Sequence, residues 1–273
     1  MNHVKSRAIA LLTDFGDIDP FAGILKGVIL SINPGAVMVD LCHKVPPQDI
    51  SCGAFMLDAA MDYFPKETIF CAVVDPGVGS SRRAVLVETR DYFMVGPDNG
   101  ILWLAAQRNT IKNVVHLTRS RYFLSRISPT FHGRDIFAPV AAYLSTGIQP
   151  DFLGDPGGEL TRLVRDEPEP VENGLILTVR HIDSFGNIGL NLTWDQFKPF
   201  LDKGFRLQVN DTIVTGYFQN YASAPAGWPF VLTASTGYME IAVKNSHAAA
   251  MTGISRYDKV VLTVNGDAES MDI

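Results

Sequence analysis

Three aspartates close short apolar runs: Asp14 after AIALLT, Asp40 after AVMV and Asp75 after IFCAVV. Runs of that length and β-branched content are expected to be buried strands. Ligands of open parallel sheets bind outside the carboxyl ends of the strands. Asp14, Asp40 and Asp75 are therefore expected to line one crevice, although each singly can cap the turn that follows it. Asp75-Pro76-Gly77-Val78-Gly79-Ser80-Ser81-Arg82 is a glycine loop leading to a second strand near Ala84. No helix follows it, so it is neither a Walker loop nor a dinucleotide fingerprint. Such a loop can fold Arg82 back towards Asp75, as a structural ion pair or as a device that holds a polar reactant. Phe131-His132-Gly133-Arg134-Asp135 precedes a helix that Asp135 can cap, which sets His132 near a helix N-terminus and facing the crevice. Beside an Asp–Arg pair His132 can have a catalytic role; a structural histidine is the alternative. A rival metal site would use Asp14, Asp19, His43 and His132, without an HExxH motif or a closely spaced histidine pair behind it.

The elements that position these residues alternate over the first ~165 residues. Asp19-Pro20 is expected to be an N-cap followed by proline at the first helical position, with Ile24, Leu25, Val28, Ile29 and Ile32 repeating at helical spacing. Asp49 opens a second helix with an apolar stripe of Ile50, Ala54, Leu57, Met61 and Phe64. Further helices are expected from about Gly100 to Gln107 and from Asp135 to Leu144. The alternation indicates an α/β domain over 1–165 with a mostly parallel sheet. Residues 166–173, charged and doubly proline-bearing, read as a linker. From 174 to 273 the pattern changes to short strands and turns (LILTVRHID, FRLQV, TIVTGYF, FVLTAS, MEIAV, KVVLTV), which suggests a small all-β, barrel-like domain.

Composition bounds the function. With 273 residues the chain has length for about two domains, and 47% hydrophobic content rules out intrinsic disorder. Its 23 basic and 29 acidic residues give a net charge of −6, which argues against a nucleic-acid partner. No apolar run approaches the ~20 residues of a membrane span, and the N-terminal apolar stretch is too short for a signal peptide. Cys42, Cys52 and Cys71 show no CxxC spacing and are expected to be buried thiols in a reducing cytoplasm. From the residues alone, the chain is a two-domain soluble enzyme or a small-molecule binder.

The fragments TDFGDIDPFAG, DLCHKVPPQDI, VVDPGVGSSRR, PDNG, PTFHGRD, IDSFGN and ASTGYMEIA, in that order, carry a specific resemblance. Together they resemble the S-adenosylmethionine hydrolases, or hydroxide adenosyltransferases, relatives of the fluorinase and chlorinase enzymes. The resemblance implies an α/β domain, a C-terminal β-barrel and a homotrimer with substrate bound between neighbouring subunits. It implies hydrolysis of S-adenosylmethionine to adenosine and methionine, with no metal or redox cofactor. The family's catalytic Asp, Arg and His fall on Asp75, Arg82 and His132, flanked by Phe131 and Gly133 in the substrate site, and its ribose-diol carboxylate falls on Asp14. By similarity, Asp19 and Asp183 face the methionine moiety, and Phe185 with Asn187 line the nucleoside pocket. Tyr221 takes the place of an aromatic that stacks on adenine. Ser235 matches a contact to the amino-acid end, with Glu240 beside it, and Val243 and Asn245 lie where backbone groups read the adenine edge. Gln48 stands where the fluorinase has a tryptophan, and Phe21 replaces a serine that contacts methionine. In halogenase relatives a tyrosine can stand at the position of Asp75, and the fluorinase has Tyr-Ser where this chain has His132-Gly133.

The chemistry suits these residue types. A sulfonium makes the ribose 5′ carbon electrophilic, and methionine leaves as a neutral thioether that needs no acid. An ordinary carboxylate and bulk water differ by roughly 12 pKa units, about 16 kcal/mol, so a fully formed hydroxide is not expected. The carboxylate is expected instead to orient the water and accept its proton as the C–O bond forms.

Overall fold

A computed structural model describes residues 7–164 and 166–264, and the chain divides into two compact units between Val164 and Arg165. The first unit contains β1 (Ile9–Thr13), α1 (Phe21–Ile32), β2 (Met38–Cys42), α2 (Ile50–Ala60), β3 (Ile69–Val73), β4 (Ala84–Thr89), β5 (Phe93–Pro97), α3 (Trp103–Arg108), β6 (Ile111–Leu117), α4 (Ala138–Ser145) and β7 (Gly154–Pro156). Its seven-stranded sheet has the order β2-β1-β3-β5-β4-β6-β7. The first four strands are parallel, whereas β5-β4-β6-β7 are antiparallel. The sheet is thus mixed rather than mostly parallel, because β4 returns to β5 through a tight turn at residues 90–92 and not through a helix. Alternate residues of β1 serve two cores. Ile9 and Leu11 pack with α1 and α4 on one face, while Ala10 and Leu12 pack with α2 and α3 on the other. Burial on both faces is why this strand reads as an unbroken apolar run.

Several local expectations change. Asp49 caps α2, accepting from the Cys52 N–H at 2.9 Å. Pro20, by contrast, is itself the N-cap of α1, with no side-chain cap, so Asp19 does not have that role. Asp40 lies inside β2, not at its end, on a half-exposed edge strand where it pairs with Lys26 and His43. It therefore does not join the crevice expected for the three aspartates. Residues Gly133–Phe137 form a π-helical turn before α4, and Asp135 is buried within it. Its carboxylate accepts from the Ser128 N–H at 2.7 Å and from Arg134 Nε at 2.6 Å, so it ties down the preceding loop and caps no helix.

The second unit comprises β8 (Glu169–Val171), β9 (Gly174–Ile182), β10 (Ile188–Thr193), α5 (Trp194–Lys203), β11 (Phe205–Val209), β12 (Thr212–Val214), β13 (Pro229–Thr233), β14 (Tyr238–Val243), α6 (Ala248–Thr252) and β15 (Lys259–Val264). Its antiparallel, barrel-like sheet runs β12-β11-β15-β9-β10-β14-β13, with β8 paired to β9. Part of the stretch expected to be a linker is thus a strand: Asn173, at φ 58°, turns β8 back onto β9. Helix α5 departs from the expected all-β domain. Thr193 and Gln196 form a reciprocal capping box at its start, a signature present in the sequence. Among the described residues, no helix is long and apolar enough to cross a membrane. Cys42, Cys52 and Cys71 are free; Cys52 and Cys71 are buried, and Cys42 is half-buried.

Candidate active site

Asp75 lies two residues beyond β3, and the loop that follows it is wound on itself. Gly77 O accepts from the Ser80 N–H at 3.1 Å and from its hydroxyl at 2.6 Å, and Ser80 Oγ accepts from the Arg82 N–H at 3.3 Å. Gly79 sits at φ +80°, where a Cβ would stand 2.4 Å from the carbonyl oxygen of Pro129. Only glycine allows the 75–82 loop this close to the segment carrying His132. Arg82 Nε donates to both carboxylate oxygens of Asp75, at 2.9 and 3.0 Å, and Nη2 donates to Oδ2 as well. The same Nη2 lies 2.8 Å from His132 Nδ1. The Asp75 and Arg82 side chains are 6% and 10% exposed, so this pair lies largely out of water. Burial, followed by the Arg82 charge, lowers the pKa of His132 from its ordinary value. The carboxylate, guanidinium and imidazole read from the sequence are therefore one contiguous array.

The loop after β1 lies beside the loop after β2. Asp14 Oδ2 accepts from the Gln48 N–H at 2.9 Å, and Gln48 adopts φ 65°, so these two expected site residues meet through the Gln48 backbone. Phe15, Phe21 and Phe131 form a three-ring cluster with edge-to-face centroid separations of 5.4–6.1 Å. A Cβ on Gly133 would come 3.2 Å from the edge of Phe15, so Gly133 gives this ring its space. Asp19 is exposed on the segment entering α1. His43 is engaged by Thr13 and Asp40, and among the described residues no group of three or more His, Cys, Asp or Glu side chains gathers as a metal site would.

In the second unit, Asp183 organises the turn between β9 and β10. Its Oδ1 accepts from the N–H groups of Phe185 and Asn187, both at 2.9 Å, and its Oδ2 accepts from Asn187 Nδ2 at 3.0 Å. Asn187 Nδ2 also reaches the Tyr221 hydroxyl at 3.5 Å, and that hydroxyl donates to Glu240 Oε1 at 2.7 Å. Burial raises the pKa of Glu240 even though the Tyr221 hydrogen bond opposes the rise. Burial, reinforced by Glu240, raises that of Tyr221. Phe185 projects beside this chain of polar contacts, 77% exposed. Ser235 is exposed in the turn between β13 and β14, Val243 is buried in β14, and Asn245 is exposed at φ 60°. Asp183, Asn187, Tyr221 and Glu240 are thus linked by contact, while Ser235, Val243 and Asn245 are not part of that network.

Comparison with known proteins finds a match for both units. The SAM hydroxide adenosyltransferase N-terminal domain matches residues 9–154, and the corresponding C-terminal domain matches residues 177–261. The chain belongs to the SAM hydroxide adenosyltransferase family. It is 35% identical to the (R)-S-adenosyl-L-methionine hydrolase of Salinispora tropica, over 93% of this chain and 97% of that one. It is 36% identical to the protein of the same name from Thermus thermophilus, over 91% and 96%. The fluorinase of Actinoplanes sp. is more distant, at 24% identity over 86% of this chain and 90% of the relative. An uncharacterized conserved protein from Thermotoga maritima superposes with a TM-score of 0.86 at 32% identity, over 93% of this chain and 99% of that one.

In this member of the family, three residues around the site are less legible in the sequence. Phe15 follows Asp14 directly and could have been suspected from that adjacency. Asp135 stands where a cap would, but its partner, the Ser128 N–H, lies seven residues earlier. Nothing in the spacing of His43 announces its contact with Thr13.

Proposed function

We propose that this adenosyltransferase-family chain hydrolyses S-adenosyl-L-methionine to adenosine and L-methionine. The observation that carries the proposal is the contiguous array of Asp75, Arg82 and His132, with the Asp75–Arg82 pair largely out of water. Water attacks the ribose 5′ carbon in line with the sulfonium. The O–C5′ bond forms as the C5′–S bond breaks, and the bonding pair leaves on sulfur as a neutral thioether. Asp75 accepts a hydrogen bond from the water and then its proton. Arg82 occupies one side of both Asp75 oxygens, so the carboxylate has a single orientation and lone pairs left over for water. Because Arg82 only donates, His132 accepts at Nδ1, and the neutral ring carries its proton on Nε2. His132 is thus an acceptor that fixes Arg82 in the array. Alignment of this kind can supply ~7–11 kcal/mol of the barrier reduction. Atoms and charge balance with water and substrate alone, so the reading includes no metal or redox cofactor.

The same proposal gives Asp14 to the ribose diol, and Phe185, Asn187 and Tyr221 to the nucleoside. Asp19, Asp183, Ser235 and Glu240 serve the methionine end, with Phe21, Gln48, Phe131 and Gly133 shaping the pocket. Backbone groups at Val243 and Asn245 meet adenine. It extends to a cytoplasmic homotrimer whose sites are shared between neighbouring subunits, with no nucleic-acid or membrane partner. The division of the expected site residues between two separately folded units supports shared sites. Incubation with S-adenosylmethionine followed by product chromatography tests the activity: adenosine and methionine in equal amounts support it, and absence of turnover leaves a nucleoside-binding protein instead.

A further inference from the structure

The proposed chemistry leaves His43 unused, yet its ring joins the protein surface to the loop that carries Asp14. Nε2 lies 3.0 Å from Asp40 Oδ1, and Nδ1 lies 2.8 Å from Thr13 Oγ1. Lys26 holds the other oxygen of Asp40 at 2.6 Å. Thr13 Oγ1 in turn accepts from the Phe15 N–H at 3.3 Å. The main chain closes the same junction: the Gly16 N–H donates to His43 O at 2.6 Å, and the Val45 N–H donates to Thr13 O at 3.3 Å. Between the pairs Leu11–Asp40 and Leu12–Cys42, strand β2 has one extra residue, Leu41. A bulge of this kind re-aims the side chains around it.

The directions of these bonds are determined. Burial opposes ionisation of Asp40, but Lys26 and His43 outweigh it and keep the carboxyl below its ordinary pKa. An ionised carboxylate only accepts, so in the neutral ring Nε2 carries the proton and Nδ1 offers a lone pair. The Thr13 hydroxyl donates to Nδ1 and uses its own oxygen for the Phe15 N–H. Thr13 is fully buried, which leaves no solvent to replace either bond and rules it out as a nucleophile despite the Asp–His–Thr order.

We infer that His43, oriented by Asp40 and acting through Thr13, is a positioning residue that presents the Asp14 carboxylate to the ribose diol of the nucleoside. This rests on the assignment of Asp14 given above, and it adds a role for residues that never touch the ligand.

Calorimetry with adenosine and 2′,3′-dideoxyadenosine tests it, because the second ligand lacks the diol. His43→Leu is expected to weaken adenosine about tenfold, the value of one hydrogen bond to a charged group, and to leave dideoxyadenosine unchanged. Thr13→Val, which keeps the shape and removes the hydroxyl, is expected to do the same. His43→Asn places an oxygen near the position of Nδ1 and is expected to recover most of the loss. Equal weakening of both ligands would mean general loosening and would overturn the inference, as would wild-type discrimination in His43→Leu and Thr13→Val. Should His43→Leu fail to fold, Thr13→Val and the exposed-strand change Asp40→Ala decide by the same comparison. Asp14→Ala separates the two levels. If it abolishes discrimination while the His43 and Thr13 variants keep it, the diol assignment stands and the role of His43 falls. If Asp14→Ala itself keeps discrimination, the diol assignment fails and the inference falls with it.

Discussion

Arg82 Nη2 lies 2.8 Å from His132 Nδ1, and a guanidinium cannot accept a hydrogen bond, so the imidazole must be the acceptor. A proton on Nδ1 would face the guanidinium at this distance and break the contact. Burial and then Arg82 already lower the pKa of His132 from 6.5. Activity is therefore expected to hold above pH 6.5 and to fall on further acidification, as His132 is protonated. Stability follows the same sign. Below 6.5 the unfolded chain takes up the proton more readily than the folded one, which weakens folding as pH falls. A kcat–pH profile checks this: His132→Asn, with an oxygen in place of Nδ1, is expected to lose the acid limb that wild type shows. An identical limb in the variant would assign it to another group.

Asp75→Asn and Arg82→Lys are both expected to reduce kcat by roughly 10²-fold or more. Asparagine cannot take the water's proton, and lysine lacks the planar fork that grips both Asp75 oxygens. Adenosine affinity is expected to stay near wild type in both, since neither residue is assigned to the nucleoside. Single-turnover rates with calorimetry in parallel check the split; near-normal rates in either variant would remove that residue from the chemistry.

This array was largely legible in the sequence, because a strand-terminal Asp75, a glycine loop and Arg82 are local neighbours. His132 could be added because its motif stands just before a helical pattern. What sequence reading lacked was the reach of contacts across the fold. Asp40 ends an apolar run just as Asp14 and Asp75 do, yet the run continues as strand through Cys42 and Asp40 turns to Lys26 and His43. The mixed sheet was hidden for a similar reason. Strands β4 and β5, buried along nearly their whole length, are as apolar as the parallel strands, so their direction left no imprint on composition. Helix α5 is marked by its Thr193–Gln196 capping box, a short signal set among strand-like runs.

Glu240 is a carboxyl whose pKa is raised chiefly by burial, with Tyr221 donating to it. A raised folded-state value means the folded chain binds the proton more tightly than the unfolded chain. Its stabilising contribution is present below pH 4.5 and is lost as pH rises through the folded value. Glu240→Gln keeps an oxygen for the Tyr221 hydroxyl and has no charge to bury. It is expected to melt above wild type at pH 7 and to match wild type in acid. Thermal unfolding of both proteins across pH checks this; equal melting temperatures at neutral pH would contradict it.

If each site is shared between subunits, Asp75→Ala and Asn187→Ala damage different halves of it. Co-refolding the two inactive variants is expected to restore activity, because some mixed trimers then contain an intact site. Sedimentation with an activity assay checks both the assembly and the rescue. No rescue in verified mixed trimers would count against shared sites.

The central claim is that water, held by Asp75, attacks the 5′ carbon of S-adenosylmethionine. A halide would compete poorly there: a carboxylate ~4 Å away repels an anion by about 4 kcal/mol at an effective dielectric near 20. Arg82 offsets part of this, but its Nε and Nη2 donors point at Asp75 and His132 and are not offered to a halide. The most direct measurement is mass spectrometry of the products formed in ¹⁸O-labelled water with molar chloride or fluoride present. The account predicts adenosine carrying one ¹⁸O at its 5′ hydroxyl, unlabelled methionine and no halogenated nucleoside. Unlabelled adenosine, or a 5′-halogenated deoxyadenosine as a major enzyme-dependent product, would contradict it.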